Sequence, residues 1–158
     1  MGKNIEIERK FLVNSDRYKE LAIGRQTIKQ GYLSKDPDRT VRVRVKDDRA
    51  YLTIKSRPNE NGFSRFEWEK EIDVMDAEQL LALCPDTIEK TRWLVPCFSP
   101  QTSNLSPLLI WEVDEFHGRL AGRVLAELEL PTEDTPFVKP AWLGEEVTGN
   151  PAWYNANM

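Results

Sequence analysis

The sequence predicts a mainly β, α+β fold: an eight-stranded, mainly antiparallel sheet with a few short helices outside it. Three observations carry the prediction. Strand-like alternation of apolar and polar residues recurs in eight places along the 158 residues. Helical signals are few. The polar positions of the strands are almost all ionic, and like charges are grouped strand by strand.

The first strand is "IEIERKFLV", Ile5 to Val13, in which Glu6, Glu8 and Lys10 occupy alternate positions and therefore one face. A short strand follows around "KQGYLS", Lys29 to Ser34. "TVRVRVK", Thr40 to Lys46, and "AYLTIKS", from Ala50, form the next pair, with Asp47 and Asp48 turning the chain between them. "FSRFEWEKEIDV" runs from Phe63 to Val74, "TIEKTRWLV" starts at Thr87, "LLIWEVDEF" at Leu108 and "VLAELEL" at Val124. The last two are joined by "HGRLAGR", with Gly118 and Gly122 available for turns. Ser15 or Asp16 caps a short helix through Ile23, Asp76 caps "AEQLLALC", and "FVKPAWLGEEV" carries a short helix near Trp142. "SPQTSNLSP", Ser99 to Pro107, reads as one long loop.

The length gives one domain with a core that needs no staples. Charged residues at 30% and hydrophobic ones at 40% suit a soluble globular protein, and the net charge of −4 argues against a bulk nucleic-acid binder. The N-terminus has no apolar signal region, and no apolar run approaches the ~18 residues of a membrane span. The expected location is the cytoplasm, with no membrane and no nucleic-acid partner. Cys84 and Cys97 form no metal-type pair, and His117 is the one histidine, so a His-rich zinc site is excluded. His117 falls in a Gly-containing turn and is expected at the surface. The five tryptophans read as packing residues and the two cysteines as small hydrophobes.

One strand face carries Ile5, Ile7, Phe11, Val41, Val43, Val45, Phe66, Trp68, Trp111, Val113, Leu128 and Leu130. The other carries eight acids, Glu6, Glu8, Glu67, Glu69, Glu112, Asp114, Glu127 and Glu129. It also carries seven bases, Lys10, Arg42, Arg44, Lys55, Arg65, Lys90 and Arg92. Two readings are open. An open sheet would turn this face to water, as strands commonly do. A closed barrel would turn it inward, where charges must be paired or hold ions. In that case carboxylates without His or Cys select a hard cation, Mg²⁺ or Mn²⁺, while Arg and Lys suit phosphate oxygens.

These motifs resemble the CYTH proteins, also called triphosphate tunnel metalloenzymes. E-x-E-x-K on the first strand is Glu6, Glu8 and Lys10. The likeness continues through "QGYL", "RVRV", "LTIKS", "SRFEWEKEI", "EKTRW", "EVDEF", "LAELEL" and "WLGEEVTGN". The resemblance implies a closed eight-stranded antiparallel barrel enclosing a tunnel, with residues 1–158 as one domain. It implies Glu6, Glu8, Asp114, Glu127 and Glu129 as metal ligands, and Lys10, Arg42, Arg44, Lys55, Lys90 and Arg92 as phosphate-binding residues. Arg65 joins the phosphate-binding set from a further tunnel strand, and Glu67, Glu69 and Glu112 are supporting tunnel acids. The implied activity is metal-dependent hydrolysis of a small-molecule triphosphate, tripolyphosphate, to diphosphate and phosphate, by a monomer or homodimer. Lys10, paired with Tyr32, is the candidate for activating water if neighbouring Arg and Lys lower its pKa. Otherwise Lys10 only binds phosphate and Tyr32 is a tyrosine at the edge of the core. Two alternatives remain: an adenylate cyclase or nucleoside or thiamine triphosphatase on the same fold, and a non-catalytic polyphosphate- or nucleotide-binding module.

Overall fold

Period-two sequence becomes strand wherever its two faces find different surroundings, and here both faces are covered over most of the sheet. The computed structural model describes residues 5–60, 62, 64–98 and 109–158. The expected loop Ser99 to Pro107, together with Phe63 and Leu108 at strand starts, lies outside the described residues. Eight strands form the wall: β1 (Ile5–Val13), β2 (Gly24–Ser34), β3 (Thr40–Lys46), β4 (Arg49–Lys55), β5 (Ser64–Ile72), β6 (Thr87–Cys97), β7 (Leu109–Phe116) and β8 (Val124–Glu129). Their order is β5-β4-β3-β2-β6-β7-β8-β1, and β1 then pairs with β5 to close the barrel. Every pairing is antiparallel. The closed reading of the charged face is therefore the correct one.

Three expectations change in detail. The region around Trp142 is a turn leading into a ninth strand, β9 (Leu143–Glu146), and not a helix. The reason is the free edge of β1: β5 pairs only with Ile5 to Ile7, so Phe11 and Val13 take Glu146 and Leu143 as partners. β2 starts at Gly24, earlier than its alternation suggested, because residues Gly24 to Ile28 pair with Leu94 to Lys90 of β6. The helices are also shifted. α1 is the single turn Tyr18–Leu21, and Ile23 already bonds to Leu94 of β6. α2 (Val74–Leu81) begins before Asp76, with Asp73 at its N-cap and Asp76 in the first turn, where a carboxylate favours the helix dipole. Among the described residues, no helix is long and apolar enough to cross a membrane.

The apolar face packs outward under these covers. Phe11, Trp111, Val113 and Leu128 form the main cluster with Tyr18 and Trp142. Its rings meet edge to face, with Trp111 at 5.6 Å from Phe11 and from Trp142. α2 lays Ala77 and Leu81 over Val43 and Ala50. The residues following α2 approach β2 so closely that a Cβ on Gly31 would lie 2.8 Å from the Cβ of Cys84, which requires glycine there. β5 is left uncovered, and Phe66 and Trp68 are exposed.

Leu12, Ile88, Phe116 and Leu125 continue the inward parity of Lys10, Lys90, Asp114 and Glu127. They cluster with Leu120, Trp153 and Met158, so hydrocarbon fills one end of the barrel. At the seam between β5 and β9, Gly62 and Gly149 touch. Both have positive φ (78° and 77°), and a Cβ on Gly62 would stand 2.6 Å from the Cα of Gly149.

Candidate active site

Closure of the barrel turns one parity of every strand into the lining of a cavity of about 970 Å³, within the range of small-molecule sites. Of the residues expected from sequence, all but Asp114 line it, Tyr32 included. Asp114 stands just behind the lining, buried and bonded to two of the lining bases. The juxtaposition follows from register. Glu8 lies opposite Glu129 and Lys10 opposite Glu127, while Glu112 pairs with Glu127 and Arg92 with Asp114.

The wall divides into ion-paired and crowded halves. Arg92 grips Asp114 through two hydrogen bonds, of 2.8 Å from Nε and 3.0 Å from Nη2, and Lys90 reaches the same carboxylate at 2.7 Å. Lys55 holds Glu6 at 3.0 Å and Arg65 approaches it at 3.4 Å, while Glu67 stands 3.6 Å from Lys55. Lys10 pairs with Glu127 at 3.2 Å, and the Glu69 carboxylate lies 3.7 Å from Arg42. Arg92 is 3.4 Å from Glu112.

Burial works against each charge, and the partners decide the outcome. Burial opposes ionisation of Glu6, yet Lys55 and Arg65 hold its carboxyl below the usual range. The same balance, won by Arg92 and Lys90, keeps Asp114 low, and Lys10 and Arg92 keep Glu127 low. Glu8 is pushed up to about 8 by burial and by the carboxylates of Glu127 and Glu6. Glu129 rises to about 7 through burial and through Glu6, Glu67 and Glu112. These two acids face one another without enough positive charge between them.

Lys10 departs from expectation. Burial lowers its affinity for a proton, but Glu127 and Glu8 outweigh burial and raise the pKa. The predicted depression by neighbouring bases is overturned, because Glu127, paired with the ammonium at 3.2 Å, and Glu8 outweigh Arg65. Arg44 moves the other way: burial and the nearby Arg42 and Arg92 lower it.

The chemistry of the donors fits two kinds of guest. Arg42 buries its Nε with no hydrogen-bond partner, although its Nη2 donates to Thr53 at 3.2 Å. A buried guanidinium N–H left over in a cavity suits an anionic oxygen. The all-oxygen acids Glu8 and Glu129 suit a hard divalent cation, which would relieve their crowding by the neighbouring carboxylates. Among the described residues, no three acidic, Cys or His side chains already converge as a metal clasp.

Sequence reasoning missed Gln30, Thr53 and the segment 151–158. Gln30 is fully buried and accepts from Arg44 Nε at 2.8 Å. Its parity with Tyr32 on β2 was the available signal. Thr53 bridges Arg42 and Glu69, donating to Glu69 at 2.8 Å. Trp153 offers its carbonyl to Lys10 at 2.9 Å, and the Tyr154 ring lies 5.7 Å from both Lys10 and Arg65. His117 is exposed, as expected, and contacts Thr91.

With that geometry in place, the likeness to known proteins is specific. Residues 4–151 match the CYTH domain. An inorganic triphosphatase of Acetivibrio thermocellus is 47% identical over 160 residues, covering 100% of this chain and 94% of the relative. One from Nitrosomonas europaea is 34% identical, covering 95% of this chain and 93% of its own. The crystal structure of an inorganic triphosphatase superposes with a TM-score of 0.60 at 32% identity, over 96% of this chain and 92% of that one. CYTH triphosphatases depend on a metal ion. This chain belongs to the CYTH family.

Proposed function

We propose that the protein hydrolyses inorganic triphosphate to diphosphate and phosphate within the barrel, supported by Mg²⁺ or Mn²⁺. The observation that carries the reading is that Arg42, with one N–H unpartnered, and the crowded acids Glu8 and Glu129 line the same cavity. The relatives named inorganic triphosphatase support it.

In this reading the bases Lys10, Arg42, Arg44, Lys55, Arg65, Lys90 and Arg92 hold phosphoryl oxygens, exchanging carboxylate partners for substrate. Because Glu127 and Glu8 keep Lys10 protonated, its first role is as an ammonium that orients and neutralises the phosphoryl group undergoing transfer. Tyr32, opposite Arg42 on β3, orients the water whose oxygen attacks the terminal phosphorus as the bridging P–O bond to diphosphate breaks. Glu8 and Glu129 are the foremost candidates to hold the metal, with Glu6, Asp114 and Glu127 completing the acidic wall. Glu67, Glu69 and Glu112 keep the bases aligned from the rim. The bound cation supplies charge neutralisation on the phosphate oxygens.

Release of phosphate from tripolyphosphate, ATP and thiamine triphosphate, each with Mg²⁺ or Mn²⁺, tests the assignment. Tripolyphosphate is expected to be turned over fastest at matched metal. Faster turnover of ATP or of the thiamine ester would overturn the substrate, and formation of cyclic AMP would overturn the reaction class.

A further inference from the structure

Among the neutral braces of the basic wall, one reaches two bases, and neither the motifs nor the metal reading uses it. Asn155 lies on a 3-10 turn (Asn155–Asn157) just after another turn (Pro151–Trp153). Its Oδ1 accepts from Lys90 Nζ at 2.7 Å and from Gln30 Nε2 at 3.1 Å. Gln30 in turn accepts from Arg44 Nε at 2.8 Å. The amide orientations are fixed by chemistry. The Arg44 guanidinium has no acceptor to offer, so it must face the Gln30 carbonyl oxygen, which leaves the Gln30 NH₂ to donate to Asn155 Oδ1, the oxygen that also faces Lys90 Nζ. Lys90 and Arg44, on β6 and β3, are thus aligned through a single side-chain carbonyl from residues 151–158.

The segment carrying Asn155 is itself anchored. Trp153 packs into the hydrocarbon that fills one barrel end. Arg119 donates to the Met158 carbonyl at 3.1 Å, and Asn157 Nδ2 donates to the Pro151 carbonyl at 2.8 Å. Neutrality is the second part of the argument. The ionic partners of the tunnel bases are carboxylates, which cancel charge while they orient it. An amide carbonyl orients a base without cancelling its charge, so Asn155 adds to the alignment of Lys90, already paired with Asp114 at 2.7 Å, without neutralising it further.

We propose that Asn155 is a positioning residue for triphosphate, acting through Lys90 directly and through Gln30 on Arg44. The inference rests on the triphosphatase reading of the same tunnel. Asn155→Ala removes the brace. Asn155→Asp keeps both hydrogen bonds but sets a negative charge beside Lys90.

The test measures steady-state turnover of tripolyphosphate and, without metal, the melting shift that tripolyphosphate produces. Asn155→Ala is expected to raise KM about five- to tenfold, as loss of one ordinary hydrogen bond does, while kcat changes less than about twofold. Asn155→Asp should leave the melting temperature of the free protein unchanged or higher and still shrink the tripolyphosphate shift. A merely structural residue would do the reverse. In a Lys90→Met background the effect of Asn155→Ala on KM should fall below about twofold, whereas in a Lys55→Met background it should persist in full. If Lys90→Met does not fold, Gln30→Ala takes its place in the cycle. An unchanged KM in Asn155→Ala, or additivity with Lys90→Met or its replacement, overturns the role of Asn155 alone. A wild-type protein that neither hydrolyses tripolyphosphate nor is stabilised by it overturns the reading of the tunnel, and this inference with it.

Discussion

Glu6 and Glu8 stand two residues apart on one strand, yet their surroundings push them in opposite directions, which gives opposite expectations for the same substitution. Glu8 is raised to about 8 by burial and by Glu127 and Glu6, so Glu8→Gln should stabilise the metal-free protein, on the order of 1 kcal/mol after screening by the water in the tunnel. Glu6 is clasped by Lys55 and Arg65, so Glu6→Gln should cost about 2 kcal/mol by leaving a buried ammonium short of its partner. Denaturant melts without metal check both; a loss of stability in Glu8→Gln would mean that the crowding is absent. Metal-supported turnover should fall in both variants. Arg42→Ala makes the parallel case for the anion. It removes the buried, unpartnered Nε and a charge-assisted contact, so the melting shift produced by tripolyphosphate should shrink and KM rise roughly tenfold. An undiminished shift would place the phosphates elsewhere. The identities of these residues were legible from period two alone, since β-strand parity put them on one face. Their pairing was not. The sign of the Lys10 shift depends on Glu127, which is far away in sequence and becomes its neighbour only through the β1–β8 register.

At the level of elements, alternation located all eight wall strands because all but β2 have an ionic and an apolar parity, and closure of the barrel made that contrast regular. It failed where context outweighs pattern. β9 exists because β5 leaves β1 early and exposes backbone groups at Phe11 and Val13; nothing within "WLGEEV" itself announces a strand edge waiting for it. The N-terminal half of β2, "GRQTI", mixes charge and polarity and becomes strand through pairing with β6. Nor did local sequence show why "QGYL" has its glycine. The chain leaving α2 presses Cys84 against β2 at Gly31, so Gly31→Ala forces a Cβ into contact at 2.8 Å. Overpacking of this kind should cost about 1–3 kcal/mol in chemical denaturation, and Cys84→Gly in the same chain should return part of it. A neutral Gly31→Ala would mean that α2 is free to move away from β2. Such a loss is expected to leave KM for tripolyphosphate largely unchanged, since Gly31 has the parity opposite to Gln30 and Tyr32 and faces away from the tunnel.

For the whole molecule, an interior of opposed charges and an exterior of packed aromatics make stability sensitive to pH at both extremes, for different reasons. On the acid side the controlling groups are Glu6, Asp114 and Glu127. Burial opposes their ionisation, but Lys55, Arg92 and Lys10 respectively are their leading partners and hold all three below their unfolded values. The unfolded chain therefore binds more protons as pH falls through the carboxylate range. The stability these pairs contribute is complete above about 4.5 and is lost progressively below it. On the alkaline side two groups outside the tunnel reduce stability. Burial raises Tyr18 to about 12 from 10.0, helped by Glu115 and Asp16, and raises Cys97 to about 11 from 9.0. Above those ordinary values the unfolded chain ionises first, so the folded state binds more protons and stability falls as pH rises. Inside the tunnel, Glu8 and Glu129, raised to about 8 and about 7, give up stability as pH rises from about 4.5, whereas Lys90 and Arg44, lowered to about 7 and about 9, return it at higher pH. The Cys97 and Tyr18 contributions, which begin to fall from about pH 9 and about pH 10, are therefore read as differences between variants. Cys97→Ala should move the start of the alkaline decline toward the Tyr18 range, and Tyr18→Phe should flatten what remains, because neither replacement can ionise. Melts of the three proteins across that range read the two contributions separately. An alkaline limb identical in all three would place the titrating groups elsewhere, with the tunnel lysines as the next to examine.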